Sequence, residues 1–467
     1  MNSNISRRNF IGAMGCASLS ALPFLNTWFS LNKMNAAAGA SMESNNDEEY
    51  KALVCILLGG GNDSFNMLVP KGSSEHFAYA QTRSNLTLPK FSLLPIESQL
   101  QQGIELGLHP NIPEIQQLYN DKKLAFITNI GTLVEHTDRA AFFSQQAKLP
   151  LGLFSHSDQV QQWQTSIPQD RSAIGWGGRL ADMMSYTNEN QNISMNISLS
   201  GNNVFQAGRQ TVEYTIDAFN GAKTINNYNG TGYFNQVLKR SIDGMLEQEY
   251  HNIFEKTYAN TIRVGLNANE QFAAAISEVP RFSTTFSGLG LSAELRMVAQ
   301  TIAARDTLQM KRQVFFIHVG GWDHHDEVIN IHGEMMGQVS RALGEFQATM
   351  EELGIADQVT TFSISDFART LSSNGNGSDH GWGGNVLVMG GAVKGGEVYG
   401  KYPTLALSSS LDVGGGVLIP TISTDEYFAE LALWMGVSPN DLSMVFPNIG
   451  NFYSVASNDQ PIGFLKK

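Results

Sequence analysis

"ALVCILLGGGNDS", residues 52–64, runs through seven apolar positions without alternation and then stops at three glycines, Asn62, Asp63 and Ser64. A strand with one wet face would show a polar residue at every second position. This run therefore reads as a strand buried on both faces, as in a parallel sheet covered by helices. The glycines allow positive φ and a close approach of backbone to a ligand at the strand's carboxyl end.

Similar short runs recur at Leu124–Ile130, Ile193–Leu199, Val314–Val319, Val359–Ile364, Val386–Met389 and Val417–Ile419. Helical patterns lie between them: residues 112–122, 333–353 with Met336, Val339, Leu343, Phe346 and Met350 on one stripe, and 427–435 closed by Gly436. Strands alternating with helices predict an α/β fold, a doubly wound and mostly parallel sheet. The middle departs from this rhythm. Residues 201–232 are polar and rich in Asn, Gly and Thr, and residues 234–310 are mostly helical in pattern. The expectation is one α/β domain over 41–467 carrying a polar and helical insertion at about 201–311.

Residues 1–40 read as a targeting segment. Ser6-Arg7-Arg8-Asn9-Phe10-Ile11 has the twin-arginine pattern, an apolar run follows to Leu25, and Ala36-Ala37-Ala38-Gly39-Ala40 offers a cleavage site. The expected partner during export is the twin-arginine translocase, and the expected location is periplasmic or exported. The leader carries three of the 30 basic residues and none of the 43 acidic ones, so 27 against 43 leaves the mature chain at −16. A field of that sign argues against nucleic acid. One cysteine, Cys55, remains after the leader, so no intrachain disulfide is expected. No apolar run in the mature chain reaches the ~18 residues of a membrane span.

Three of the runs end alike. Residues 52–58 lead into Asp63, residues 314–319 into Gly320-Gly321-Trp322-Asp323-His324-His325-Asp326, and residues 359–364 into Ser365-Asp366. Ligands of open parallel sheets bind at the carboxyl ends of strands, so these ends should meet on one face. His380 follows Asp366 inside a glycine-rich stretch. Carboxylates and imidazoles together suit a divalent metal, Zn²⁺ or Mn²⁺. Each acid taken singly also reads as an ordinary helix N-cap. "LGLFSHSDQVQQWQTS", residues 151–166, sets Ser155 at the start of a helix. There its hydroxyl is either a nucleophile backed by helix N–H groups or the first residue of a capping box with Asp158.

The twin-arginine leader and the stretches "LLGGGNDSFNMLVP", "LFSHSDQVQQW", "GWGGRLAD", "HVGGWDHHDE" and "SISDFARTLSSNGNGSDHGWGGNVLVMGGAVKGGEVYGKYP" together resemble the DUF1501 family of exported bacterial proteins. That family looks like a distant branch of the alkaline phosphatase superfamily, which also holds sulfatases and phosphomutases. The resemblance implies an alkaline phosphatase-like sheet and places Asp63 as the first-strand metal ligand. It makes Ser155 the nucleophile, Asp323 the first member of an Asp-x-x-x-His pair and His380 the final histidine. Two positions depart from the pattern: the later Asp-His pair is Asp366-Phe367, and His325 follows Asp323 by two residues. Asp326 or His324 stands close enough in sequence to compensate.

Two functions follow. One is an exported metal-dependent hydrolase of phosphate or sulfate esters, with Asp63, Asp323, His325, Asp326, Asp366 and His380 as metal ligands. In that enzyme Ser155 attacks and Arg369 orients a small anionic ester. The alternative is a non-catalytic envelope protein that keeps the fold and uses the site for binding or assembly with a partner protein.

Overall fold

The computed structural model describes residues 49–222, 225–457 and 459–466. The targeting segment lies outside the described residues. Two compact units divide the chain: Glu48–Lys223 with Gln271–Lys467 forms the larger, and the described part of the smaller is residues 225–270.

The larger unit is a mixed α/β structure around a ten-stranded, mostly parallel sheet. Its strands are β1 (Lys51–Gly59), β2 (Leu124–Gly131), β3 (Asn196–Ser198), β4 (Tyr214–Asp217), β5 (Gly221–Ala222), β6 (Arg312–Gly320), β7 (Val359–Ser365), β8 (Gly384–Met389), β9 (Val398–Tyr399) and β10 (Ile422–Ser423). The order across the sheet is β9-β2-β8-β7-β1-β6-β3-β4-β5, with β10 also paired to β2. β1 lies at the centre, parallel to β7 on one side and β6 on the other. Cys55 faces Phe362 and Phe316, while Leu58 faces Ser365 and Gly59 faces Gly320. This register ends all three strands at one edge, so the loops that follow them start side by side.

Both faces of β1 are covered, as its unbroken apolar run requires. Leu53, Cys55 and Leu57 enter a core with Trp163, Trp176, Phe205, Phe316, Phe362 and Phe428, while Ala52, Val54, Ile56 and Leu58 are equally buried on the alternate face. Helices α1 (Pro113–Asn120), α2 (His156–Thr165), α3 (Leu291–Ala303), α4 (Val328–Glu352) and α5 (Thr424–Met435) supply much of that cover. Helix α5 starts with a Ser423/Glu426 capping box and ends at Gly436 with φ 111°. Glu430 in the same helix accepts N–H groups from Ile462, Gly463 and Leu465, which ties the C-terminal segment to the core.

Two expected strands differ. β8 is antiparallel to both β7 and β2. Residues 417–419 are buried but form no strand, making only the bridge Leu418–Asp412. Part of the expected insertion belongs to the sheet, since β4 and β5 form its edge. In the smaller unit, the helix Tyr233–Leu246 and the start of the helix Ile253–Ser277 bury Tyr228, Ile242, Leu246, Ala259 and Leu266. Among the described residues no helix is long and apolar enough to cross a membrane.

Candidate metal centre

The loops after β1, β6 and β7 meet because glycine lets them. Gly60 has φ 120°, and a Cβ there would sit 2.5 Å from the Asp323 nitrogen. A Cβ on Gly377 would sit 2.2 Å from the carbonyl carbon of His325. Side chains at either position would push apart the loops that carry Asp323, His325 and His380.

Three imidazoles converge there on one carboxylate. His325 Nε2 lies 3.0 Å from Asp323 Oδ1, His156 Nε2 lies 3.4 Å from Asp323 Oδ2, and His380 Nε2 lies 3.6 Å from Asp323 Oδ1. The donor atoms of His156, Asp323 and His380 all fall within 4.8 Å of one another. Each ring is held from behind by an acceptor on Nδ1. His156 is held by Asp366 Oδ2 at 2.8 Å, His380 by the Phe154 carbonyl at 2.8 Å, and His325 by Asp379 Oδ1 at 3.2 Å. A carbonyl or carboxylate can only accept, so each Nδ1 carries a proton, and in the neutral ring each Nε2 presents a lone pair to the cluster.

The fit to a metal rests on those lone pairs. His325 Nε2 and His380 Nε2 stand 3.0 Å apart, and with both rings neutral they face each other as two acceptors. Among the described residues His156 Nε2 is buried without a hydrogen-bond partner, with Asp323 Oδ2 3.4 Å away. A shared cation resolves both conditions, and two nitrogens on one tetrahedral Zn²⁺ lie about 3.3 Å apart given Zn–N bonds near 2.0–2.1 Å. Burial pushes the His380 imidazole below its usual pKa, which favours the neutral form a ligand needs. Burial works to raise the Asp323 carboxyl, but the bonded Arg369 guanidinium outweighs it and holds the group below its usual value. The site is open: the Asp323 and His325 side chains are each 44 % exposed.

The remaining expected site residues take other positions. Asp366 stands behind His156: its Oδ1 accepts from Gly60 N at 3.0 Å while its Oδ2 holds His156. Asp63 is fully buried in an ion pair with Arg83, itself buried, and leaves the cluster to the other acids. Asp326 is exposed and bonded to Asn376 and to the Glu327 N–H. His324 turns inward toward His332, with ring centroids 6.1 Å apart. Ser155 caps α2, with its Oγ 3.5 Å from the Asp158 nitrogen and 3.1 Å from Ser157 Oγ. Arg369 has no exposed side-chain surface; it bonds Asp323 Oδ1 at 2.5 Å and the carbonyls of Gly60 and Ser378. It positions Asp323 and has little left to offer an anion.

Sequence reading missed His156, the residue beside Ser155. The signal was an imidazole at the first position of a helix, where a side chain leans back over the loop before it. Phe367, which stands where a second histidine was expected, stacks on His380 with centroids 4.6 Å apart and packs on His156 at 4.7 Å. It holds both rings in place by contact.

The chain belongs to the DUF1501 family, described as proteins of unknown function, whose model matches residues 50–444. No curated protein matches it. Among solved structures it is similar to the sulfatase PsFucS1 of a Pseudoalteromonas species, with 11 % identity over 87 % of this chain and 70 % of that one, TM-score 0.33. It is also similar to the lipoteichoic acid synthase LtaP of Listeria monocytogenes, with 9 % identity over 84 % of this chain and 80 % of the other, TM-score 0.28. A third is the lipooligosaccharide phosphoethanolamine transferase of Neisseria meningitidis, with 7 % identity over 92 % of this chain and 62 % of that one, TM-score 0.34. At such identities and TM-scores these likenesses carry nothing about chemistry.

Proposed function

We propose that this DUF1501 protein is an exported, metal-dependent hydrolase of phosphate or sulfate esters on an alkaline phosphatase-like sheet. The observation that carries the reading is the convergence of three Nε2 atoms, each ring fixed through Nδ1, on Asp323 at an exposed strand edge. A donor set of three imidazoles and one carboxylate suits Zn²⁺ better than Mn²⁺, which prefers oxygen. When bound, such an ion supplies Lewis acidity toward an ester oxygen.

The chain's own residues divide the work. His156, Asp323, His325 and His380 hold the ion, Asp366 and the Phe154 carbonyl orient two of the rings, and buried Arg369 fixes the Asp323 carboxylate. The ester enters from the exposed side of Asp323 and His325, where water has equal access. With its hydroxyl committed to the α2 cap, Ser155 takes no covalent step in this reading.

A second reading, a metal-holding envelope protein without turnover, is favoured by the same two residues. Ser155 is used as a cap, and Arg369 is used by Asp323, so the expected nucleophile and anion clamp are both engaged elsewhere. An ester panel decides between them. Zinc-loaded protein should hydrolyse an aryl phosphate or an aryl sulfate, His156→Ala should abolish turnover, and Ser155→Ala should retain it. A folded, zinc-loaded protein inert toward both esters would leave the binding reading in its place.

A further inference from the structure

A cleft of about 380 Å³ lies within the larger unit, far in sequence from the metal ligands, between the β5 turn and two helices. Its apolar walls are Phe219, Phe272, Ile276 and Met297, and its polar groups include Arg296 and Gln300. Small-molecule sites of this size combine apolar side chains with a few placed polar groups.

Arg296 is the unexplained residue. Among the described residues it has no hydrogen-bond acceptor and no ion-pair partner, and its Nε is buried without a partner. Among the described residues no carboxylate lines the cleft. A guanidinium N–H buried without a partner is costly, and a carboxylate pairs with a guanidinium through two parallel bonds. Phe219 is 62 % exposed at the same cleft, while Phe272 is fully buried, so one aromatic forms a wall and the other stands open to a ligand. Met297 adds a side chain that adapts to the shape of what it meets.

We infer that this cleft binds a small amphipathic carboxylate, with the carboxylate on Arg296 and the hydrocarbon body on Phe219, Phe272, Ile276 and Met297. This site is independent of the metal centre and of any hydrolysis there. The chemistry sets both sign and length dependence. A cation of the same shape has no partner in the cleft, and each added methylene should tighten binding about fourfold, since burying one is worth about 0.8 kcal/mol.

Calorimetric titration of the full-length protein with hexanoate, octanoate and octylammonium tests the site. Octanoate should bind about 15-fold more tightly than hexanoate, and octylammonium should give no saturable heat. Arg296→Met should weaken octanoate about tenfold or more. Ala273→Trp, which adds bulk at another lining position and keeps Arg296 itself, should abolish binding and guards against a folding defect in the first variant. Equal binding of octanoate and octylammonium, octanoate affinity unchanged in either variant, or no octanoate binding to the wild type would overturn the inference.

Discussion

His156 Nδ1 lies 2.8 Å from Asp366 Oδ2, a contact that joins the first turn of α2 to the end of β7 across 210 residues of chain. It sets the ring's tautomer and aims Nε2 at Asp323. Asp366 was expected as a ligand, and both of its oxygens are already engaged, one by the Gly60 N–H and one by His156.

Asp366→Asn therefore keeps the shape of the support and removes its charge. Zinc affinity should fall about 10- to 100-fold, the usual cost of losing an outer-shell partner, with stoichiometry still reaching saturation at high zinc. Competition against a chromogenic chelator measures the shift. Complete loss of binding would instead make Asp366 a direct ligand.

Asp63→Ala should act on the fold and not on the metal. It leaves the Arg83 guanidinium buried without its counter-ion, a change that costs about 3–5 kcal/mol. Denaturant titration should show the loss, and the folded fraction should retain its zinc. A variant of wild-type stability that no longer binds zinc would return Asp63 to the ligand set.

Ser155→Ala removes an N-cap whose hydroxyl accepts from the Asp158 N–H. The expected cost is about 1 kcal/mol, with no change in zinc content.

A pH effect follows from His109. Burial lowers its pKa from 6.5 to about 4, and its Nδ1 accepts the Asn111 N–H, a bond only the neutral ring can make. The unfolded chain binds the proton more readily, so the folded state loses stability as pH falls through 6.5 and stops losing it near 4. The loss is on the order of 3 kcal/mol. His109→Asn keeps an acceptor for the Asn111 N–H without a titrating group, so its unfolding midpoint should vary less between those pH values. An unchanged pH dependence would show that another group controls it.

The central strands were legible because burial on both faces leaves an unbroken apolar run, as in 52–58, 314–319 and 359–364. Direction was not legible. Val386–Met389 has the same composition as its neighbours yet runs antiparallel, and burial alone carries no sign of direction. Val417–Ile419 is apolar because it packs around Trp382 and Leu133 as a loop. Within the site, Asp323, His325 and His380 could be read from strand ends and glycines. Two parts of the geometry could not. Phe154 adopts φ 75° and offers its carbonyl to His380, and Arg83 reaches Asp63 from a helix that no pattern links to it.

Elemental analysis of protein purified from a zinc-supplemented host, with His380→Ala and Asp323→Ala beside it, tests the metal centre most directly. The account predicts one zinc per wild-type chain and less than about a tenth of that in either variant, because each lost ligand opens the coordination shell. Folded wild-type protein that stays zinc-free after reconstitution, or variants that keep the full equivalent, would contradict it.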